Sequence, residues 1–494
     1  DFVGKNDDIE LIQLNSFGCG LDAVTTDQIE EICNSNNKIY TVLKIDEVSN
    51  LGAIKIRIRS LKAAMEEREK NGVRSDAKFE PYERVLFTEE MRENYTILVP
   101  QMSPIHFTYF SEAMKSCGYN VDLLPAVDEN AVNEGLRYIN NDACYPTIVT
   151  LGQIISALKS GKYDLNRTAV FMSQTGGGCR ASNYVSLLRK ALTDLDMPQV
   201  PVVSFNMVGL EKNPGFKITF NMGFKLLLGA IYGDLMMRLL YATRPYEAKK
   251  GSTEALLESW HDRIIDNILN FKKKDYEANL KKIVEEFDNL ERLDIKKPKV
   301  GVVGEILVKY HPNANNGIVD IIEDEGGEAV VLDLLDFFLY GMYSKQYNLK
   351  YLSGKFTEAK INQLAIKVIE MLRKPMRKAL RESKHYTEPG YIHETAEAAT
   401  KVISLGNQCG EGWLLTGEMI ELIHGGAPNI VCLQPFACLP NHVTGKGVMK
   451  SLREMNPYAN IAAIDYDPGA SDVNQLNRIK LMMTTARKNF KDAN

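Results

Sequence analysis

Three cysteines in this chain lie in turns that could present a sulfur atom to a metal. Cys144 lies in NNDACYP (140–146), a proline-flanked turn before a predicted helix. Cys179 closes SQTGGGC (173–179), and Cys438 lies in QPFACLP (434–440), each after an apolar strand. Soft thiolate ligands suit iron–sulfur clusters or zinc. Spacing alone leaves two interpretations open, a cysteine-ligated metal site and buried structural thiols.

The cysteines lack the compact Cys-x-x-Cys spacing of a zinc ribbon or ferredoxin, so single ligands would come from separate loops. Cys179 and Cys438 follow strand C-terminal ends, where open α/β sheets build their sites. Gly176, Gly177 and Gly178 are candidates to donate backbone N–H groups to cluster sulfides. The alternative is a tight turn that needs positive φ. No Gly-Lys-Ser/Thr follows, which excludes a Walker loop.

The other cysteines are weaker candidates. Cys33, Cys117 and Cys432 lie in helix or strand patterns and are predicted to be core, whereas Cys409 lies in a glycine-rich loop and is a candidate ligand. Eight cysteines in 494 residues are too few for a disulfide framework, and no secretion signal precedes them. We therefore expect a reduced, cytoplasmic environment. Since the sequence opens without Met, we also expect part of the functional unit to lie upstream.

Two residues are candidates for acid–base chemistry beside these cysteines. His442 lies four residues after Cys438 and could deliver a proton, or it could cap a helix. Glu411, in GEGW (410–413), could act in the same way. Both are predicted as catalytic residues.

Composition restricts the class of protein. Hydrophobic residues make up 45% and charged residues 25%, as in globular proteins. The net charge of −5 gives no support for a nucleic-acid-binding surface. There is no charge-free apolar run of about 18 residues, so no membrane span is expected.

Strands alternate with helices along most of the chain, which predicts parallel α/β sheets. The pattern divides the chain into a short α/β segment with a linker (1–90), a first α/β lobe with Cys144 and Cys179 (91–245), a helical connector (246–297) and a second α/β lobe with Cys438 (298–494).

An internal repeat relates the two ends of the chain. At an offset of 419 residues, SFGC (16–19) aligns with PFAC (435–438), and Asp46 and Arg59 align with Asp465 and Arg478. Each copy contains, in this order, a strand, a Phe-small-Cys motif, a helix, a second strand, an Asp and a second helix. The repeat predicts that 1–75 is the tail of a preceding module, equivalent to about 425–485, and that Cys19 and Cys438 are equivalent.

Five motifs resemble a known family over nearly the whole chain. The sequence is similar to the large acyl-CoA dehydratase activase-related proteins, and through them to 2-hydroxyacyl-CoA dehydratase and benzoyl-CoA reductase subunits and double-cubane cluster proteins. The motifs are SFGCGLDAVT (16–25), NDACYP (141–146), TGGGCRASNY (175–184), GEGW (410–413) and QPFACLPNH (434–442).

The resemblance implies flavodoxin-like (Rossmann-like) lobes and three cluster cysteines per module. Cys144, Cys179 and Cys438 would be one triad, and Cys19 the last member of another whose first two cysteines precede residue 1. Two triads would supply the six thiolates of a double-cubane cluster (8Fe-9S). Separate 4Fe-4S clusters are the competing arrangement.

The resemblance also implies the activity, a reductase component whose cluster receives low-potential electrons from an ATP-hydrolysing activator. Activator domains with their own iron–sulfur cluster would be fused upstream, and the assembly would be a homodimer without nucleic acid or membrane. Its substrate would be a small unsaturated molecule or an acyl-CoA. The alternatives are a non-catalytic scaffold of the activase, a 2-hydroxyacyl-CoA dehydratase-type lyase and a flavodoxin-like nucleotide or flavin binder.

Overall fold

The computed structural model is an α/β protein built on parallel sheets, which confirms the predicted fold class. It describes residues 2–6, 8–15, 19, 22–45, 51–71, 84–139, 143–175, 177–206 and 213–493. In these ranges, one two-stranded and two four-stranded parallel sheets form. The N-terminal unit contains β1 (Leu11–Asn15), α1 (Asp22–Ser35), β2 (Tyr40–Lys44) and α2 (Leu51–Asn71).

The first lobe surrounds a sheet with the order β4-β3-β5-β6. Its central strands are buried because helices cover the sheet faces. Its elements are α3 (Glu89–Asn94), β3 (Thr96–Val99), α4 (Pro104–Lys115), β4 (Asn120–Leu123), α5 (Glu129–Tyr138), α6 (Tyr145–Lys159), β5 (Thr168–Gln174), α7 (Tyr184–Asp194), β6 (Val202–Asn206) and α8 (Phe220–Thr243).

The second lobe follows two connector helices, and its sheet has the order β10-β9-β7-β8. Every residue of β9 is buried, as expected for a central strand. The elements are the connector helices α9 (Ser252–Leu269) and α10 (Lys273–Asp288), then β7 (Lys299–Gly304), α11 (Ile306–Tyr310), α12 (Ile318–Asp324), β8 (Glu328–Val331), α13 (Leu335–Tyr351), α14 (Phe356–Glu382), α15 (Ile392–Thr400), α16 (Gly412–His424), β9 (Asn429–Pro435), α17 (Leu439–Thr444), α18 (Met449–Met455), β10 (Asn460–Tyr466) and α19 (Asp472–Ala493).

Both lobes have the same strand order. If the strands of each lobe are numbered along the chain, the order across the sheet is 2-1-3-4, starting from the edge strand β4 in the first lobe and β8 in the second. This is the flavodoxin order without a fifth strand. In such a sheet the order in which successive strands are added reverses between the first and third strands, and ligands bind outside the carboxyl ends at that point. Cys179 follows β5 and Cys438 follows β9, which are the third strands. The topology therefore places both cysteines at the expected binding position of their lobe.

The N-terminal unit reproduces the second half of the second lobe. The parallel pair β1 and β2 corresponds to β9 and β10, and α2 corresponds to α19. The pairing register differs by two residues, because Leu11 pairs with Tyr40 whereas its counterpart Ile430 pairs with Ile461. A shift of two keeps each side chain on the same sheet face. Asp465 lies 3.9 Å from Arg478, while Asp46 lies outside the described residues.

A helical body joins the lobes and includes more than the predicted connector. The helices α8, α9, α10, α13 and α14 share one hydrophobic core that contains Trp260 and Trp413. Sequence analysis did not identify α8, a 24-residue helix that is buried on most sides. Among the described residues, one helix, 220–246, is long and apolar enough to cross a membrane, but 72% of its most apolar window is buried inside the protein.

A buried polar contact fixes α8 between the lobes. His106 on α4 is fully buried, with one ring nitrogen 2.8 Å from Ser103 Oγ and the other 2.9 Å from Asp234 Oδ1 on α8. Asp234 also accepts the backbone N–H groups of Leu334 and Leu335, at 2.6 and 3.2 Å. One carboxylate therefore joins α4 of the first lobe to α13 of the second.

The close approach of His106 to α8 leads to a stability prediction. A Cβ at Gly233 would lie 2.3 Å from the His106 ring, whereas a Cβ at Gly223 in the same helix would meet nothing within 4 Å. We predict that Gly233→Ala destabilises the protein by about 1–3 kcal/mol. The control Gly223→Ala should leave the free energy of unfolding unchanged or raise it by up to about 1 kcal/mol. Denaturant unfolding of both variants measures this, and equal midpoints would contradict it.

Candidate metal centre

The thiols of Cys19, Cys144, Cys179 and Cys438 lie together at the carboxyl ends of the sheets. Burial raises the pKa of Cys144 and of Cys179, and charge on Cys19 raises both further. The largest cause of the raised pKa of Cys438 is a hydrogen bond with the Cys19 thiol. The structure thus brings together the four predicted ligands, from the N-terminal unit and from both lobes.

Three of the four cysteines directly precede a helical turn. Cys144 is the N-cap residue of α6 and Cys438 that of α17, while Cys179 precedes the 3-10 turn Arg180–Ser182. The unpaired N–H groups of a helix N-terminus favour negative charge, and they lower the cost of a thiolate there. These positions therefore suit ligands that must lose a proton when a metal binds.

The two lobes present their sulfurs through the same short motif, Cys-x-Pro-polar. Cys144 Sγ lies 3.0 Å from the Thr147 hydroxyl, and Cys438 Sγ accepts a hydrogen bond of 3.1 Å from Asn441 Nδ2. In each case the proline occupies the first helical turn and the polar side chain comes one turn after the cysteine. Sequence analysis missed Thr147 and Asn441, although CYPT and CLPN display the repeated pattern.

The backbone before Cys438 is strained. Ala437 has φ of 58°, a left-handed conformation that costs a residue with a Cβ roughly 1–2 kcal/mol. The turn directs the chain from β9 into α17, with Cys438 at the junction. Strain of this kind persists where the surrounding structure requires one geometry, as at binding sites.

A buried ion pair connects the N-terminal unit to the loop of Cys179. Arg180 Nη1 lies 3.0 Å from Asp27 Oδ2 on α1, and both side chains are nearly inaccessible. This pair helps to hold Cys19 beside the cysteines of the lobes. Among the residues between 16 and 21, the structure describes Cys19 alone.

Two carboxyl groups border the thiols. Glu411 is buried; its side chain accepts hydrogen bonds from the backbone of Ile306 at 3.0 Å and from Asn441 Nδ2 at 3.1 Å. Glu305, at the end of β7, caps α11 through the Val308 N–H at 2.9 Å. Burial and the charge of Glu411 raise the pKa of Glu305 to about 8, and burial also raises the pKa of Glu411. The pair can therefore hold a proton near neutral pH.

The glycines around Glu411 are required by the backbone. Gly410 and Gly412 have φ of 58° and 50°, and a Cβ at Gly412 would lie 2.2 Å from Asn407 O and 2.3 Å from the Tyr340 hydroxyl. The motif GEGW thus lets the chain turn sharply and place a carboxyl group next to the thiols. Sequence analysis proposed Glu411 but missed Glu305, Tyr340 and the reason for both glycines.

Other predicted site residues have different surroundings. Nδ1 of His442 lies 3.0 Å from the Cys438 carbonyl oxygen, one helical turn earlier, which is a local contact within the helix rather than the helix cap named as its alternative role. Cys409 is exposed, unlike the four grouped cysteines. Gly177 has φ of 79°, as a tight turn requires, and Gly176 lies outside the described residues. Cys33 and Cys432 are buried and Cys117 is half-buried, so the core prediction is confirmed for the first two.

No group of three or more His, Cys, Asp and Glu side chains in the described ranges is arranged to hold a single metal ion.

Comparison with known proteins gives no relative: no protein-family model matches the chain, and no curated protein is similar to it. The functional argument consequently rests on the site itself.

The raised pKa of Glu305 gives a pH dependence that can be measured on metal-free protein. Between the ordinary pKa near 4.5 and the folded value of about 8, the native state retains a proton that the unfolded chain releases. Stability should therefore fall as pH rises from about 5 to 8, by at most about 1.4 kcal/mol per pH unit for this group.

The variant Glu305→Gln keeps the cap acceptor and removes the titration, so its thermal midpoint should depend less on pH in that window. Glu291→Gln, at an exposed carboxyl group, is the control and should follow the wild type. Parallel curves for Glu305→Gln and wild type would show that Glu305 does not titrate in this range.

Proposed function

We propose that this chain is the iron–sulfur component of an ATP-dependent reductase. The observation that supports it is the meeting of four thiols, two buried and two half-buried, from three separate units at the carboxyl ends of their sheets. Four cysteine thiolates are the usual ligand set of a four-iron cluster. A purely structural role would leave unexplained why the thiols converge at the ligand-binding positions of both lobes.

The surroundings of the thiols fit a bound sulfide-rich group. The Tyr340 hydroxyl is buried and has no hydrogen-bond partner among the described residues. Buried hydroxyl groups normally have a partner, so this O–H is available to donate to a bound group. Cys19, Cys144, Cys179 and Cys438 would hold the cluster, which when bound supplies a one-electron carrier.

The chain's own residues have distinct tasks in this proposal. The four thiols release their protons on metal binding. Thr147 and Asn441 orient two of the sulfurs through hydrogen bonds. Glu305 and Glu411 keep a proton within the site. An electron and a proton can then be held close together, as reduction of an unreactive substrate requires.

The motif resemblance supports the wider assignment. By that resemblance the electron donor is an ATP-hydrolysing activator with its own iron–sulfur cluster, and the assembly is a cytoplasmic homodimer. A preceding module would contribute two further cysteines if the cluster is a double cubane. The substrate class is a small unsaturated molecule or an acyl-CoA. In the described residues β1 pairs along one edge, while its counterpart β9 pairs along both, which leaves an edge for that module.

The deciding experiment measures iron and acid-labile sulfide after anaerobic reconstitution of the chain. We expect about four irons per chain for a four-iron cluster. Cys144→Ala, Cys179→Ala, Cys438→Ala and Cys19→Ala should each lose most of the iron. Cys409→Ala and Cys432→Ala are matched controls, one exposed and one buried in β9, and should keep it.

The outcomes separate the candidate functions. Twice the iron in a longer chain with the preceding module would identify the double cubane. Absence of iron from every preparation, with correctly folded protein, would favour the scaffold. A bound flavin would favour the flavodoxin-like alternative.

A reductase also requires a low reduction potential. The grouped thiolates add negative charge around the cluster, and burial disfavours the extra charge of its reduced form. We predict more complete reduction by titanium(III) citrate than by dithionite, monitored by EPR. Full reduction by a mild thiol such as dithiothreitol would contradict the low-potential assignment.

A further inference from the structure

The Tyr340 hydroxyl is a buried polar group without a hydrogen-bond partner among the described residues. Tyr340 lies on α13 and is 4% exposed, with its ring edge-on to Trp413 at 5.0 Å between centroids. The hydroxyl has no hydrogen-bond partner in the described part of the chain. Because a buried hydroxyl is normally paired, its position indicates a partner that is not part of the polypeptide.

The hydroxyl is directed at the thiol site. The space that a Cβ of Gly412 would fill lies 2.3 Å from it, so the oxygen packs against the backbone directly after Glu411. Glu411 in turn shares the Asn441 amide with Cys438. After burial, the charges that raise the pKa of Tyr340 are those of Glu411, Cys409 and Cys179, so these three side chains lie near the phenol.

The groups around the Tyr340 hydroxyl indicate which kind of bound group it would contact. Glu411 accepts hydrogen bonds from Ile306 and Asn441, and charged sulfurs are acceptors as well. A phenol donates one O–H, so its natural partner is an electron-rich acceptor bound between Tyr340 and Cys179. The sulfurs of a cluster held by the four thiols are such acceptors.

We propose that Tyr340 is a positioning residue that donates a hydrogen bond to a sulfur atom of the bound iron–sulfur group. This inference rests on the proposed function. A hydrogen bond to cluster sulfur stabilises the reduced, more negative state and raises the reduction potential. Tyr340 would thus hold the cluster from the second lobe and set how readily it accepts an electron.

The test compares midpoint potentials of reconstituted proteins by EPR-monitored redox titration. Tyr340→Phe keeps the ring against Trp413 and removes only the hydroxyl. We expect unchanged iron content and a lower potential, equivalent to about a tenfold change in the reduction equilibrium, or about 59 mV for one electron. Tyr343→Phe is the control, because Tyr343 lies on the same helix and also packs edge-on to Trp413, at 5.9 Å.

A second measurement uses the metal-free proteins. If the hydroxyl has no partner in the polypeptide, Tyr340→Phe should unfold at the same denaturant concentration as wild type or at a higher one. A clear fall in that midpoint would show a protein partner and overturn the proposal.

The results distinguish this inference from the function on which it rests. A wild-type chain that takes up no iron would overturn both. A cluster in both proteins with identical potentials would overturn the role of Tyr340 alone and leave the iron–sulfur assignment in place.

Discussion

The shape of this molecule depends on one buried carboxylate. Asp234 binds the His106 ring on one side and two backbone N–H groups at the start of α13 on the other. All of these groups are removed from water, so exchanging any one of them would leave a polar partner unsatisfied. A second network, in which Arg238 and Arg373 both bind Asp333, lies directly beside it. Burial alone would raise the pKa of Asp333, but the two guanidinium groups hold it at about 2. The lobes therefore meet in a defined relation before any ligand binds.

This packing of the two lobes determines which side chains meet at the thiol site. Each lobe has a cysteine in the loop after its third strand, and neither lobe alone contributes more than two of the four thiols. The first lobe adds Cys144 from the start of α6, and the N-terminal unit adds Cys19, held by the pair of Arg180 and Asp27. The second lobe supplies the carboxyl groups Glu305 and Glu411. Sulfur ligands and proton-holding groups thus come from different units and converge only when the units are packed together.

Much of this arrangement could be predicted from residues with strong local signals. Strands alternating with helices indicated the parallel sheets. The glycine and proline residues beside Cys144, Cys179 and Cys438 indicated that these cysteines lie in turns and are candidate ligands. Other parts depend on tertiary contacts that have no local signal. The helix α8 is apolar on nearly every face, so it lacks the amphipathic period of a surface helix. Glu305 and Tyr340 belong to the site because of what packs against them. The strand pair β1–β2 differs in register by two residues from its counterpart β9–β10, and an ungapped alignment of the sequence cannot predict this difference.

The sheet of β1 and β2 has a consequence for access to the site. Two-stranded sheets are marginally stable, whereas the four-stranded sheets of the lobes are enclosed by helices. Local opening is easiest where few buried contacts must break, and the N-terminal unit is such a place. One of the four sulfurs, that of Cys19, is carried by this unit. Because the Arg180–Asp27 pair joins α1 to the loop of Cys179, local opening of the N-terminal unit would break this pair and separate Cys19 from the other three thiols while both lobes stay folded.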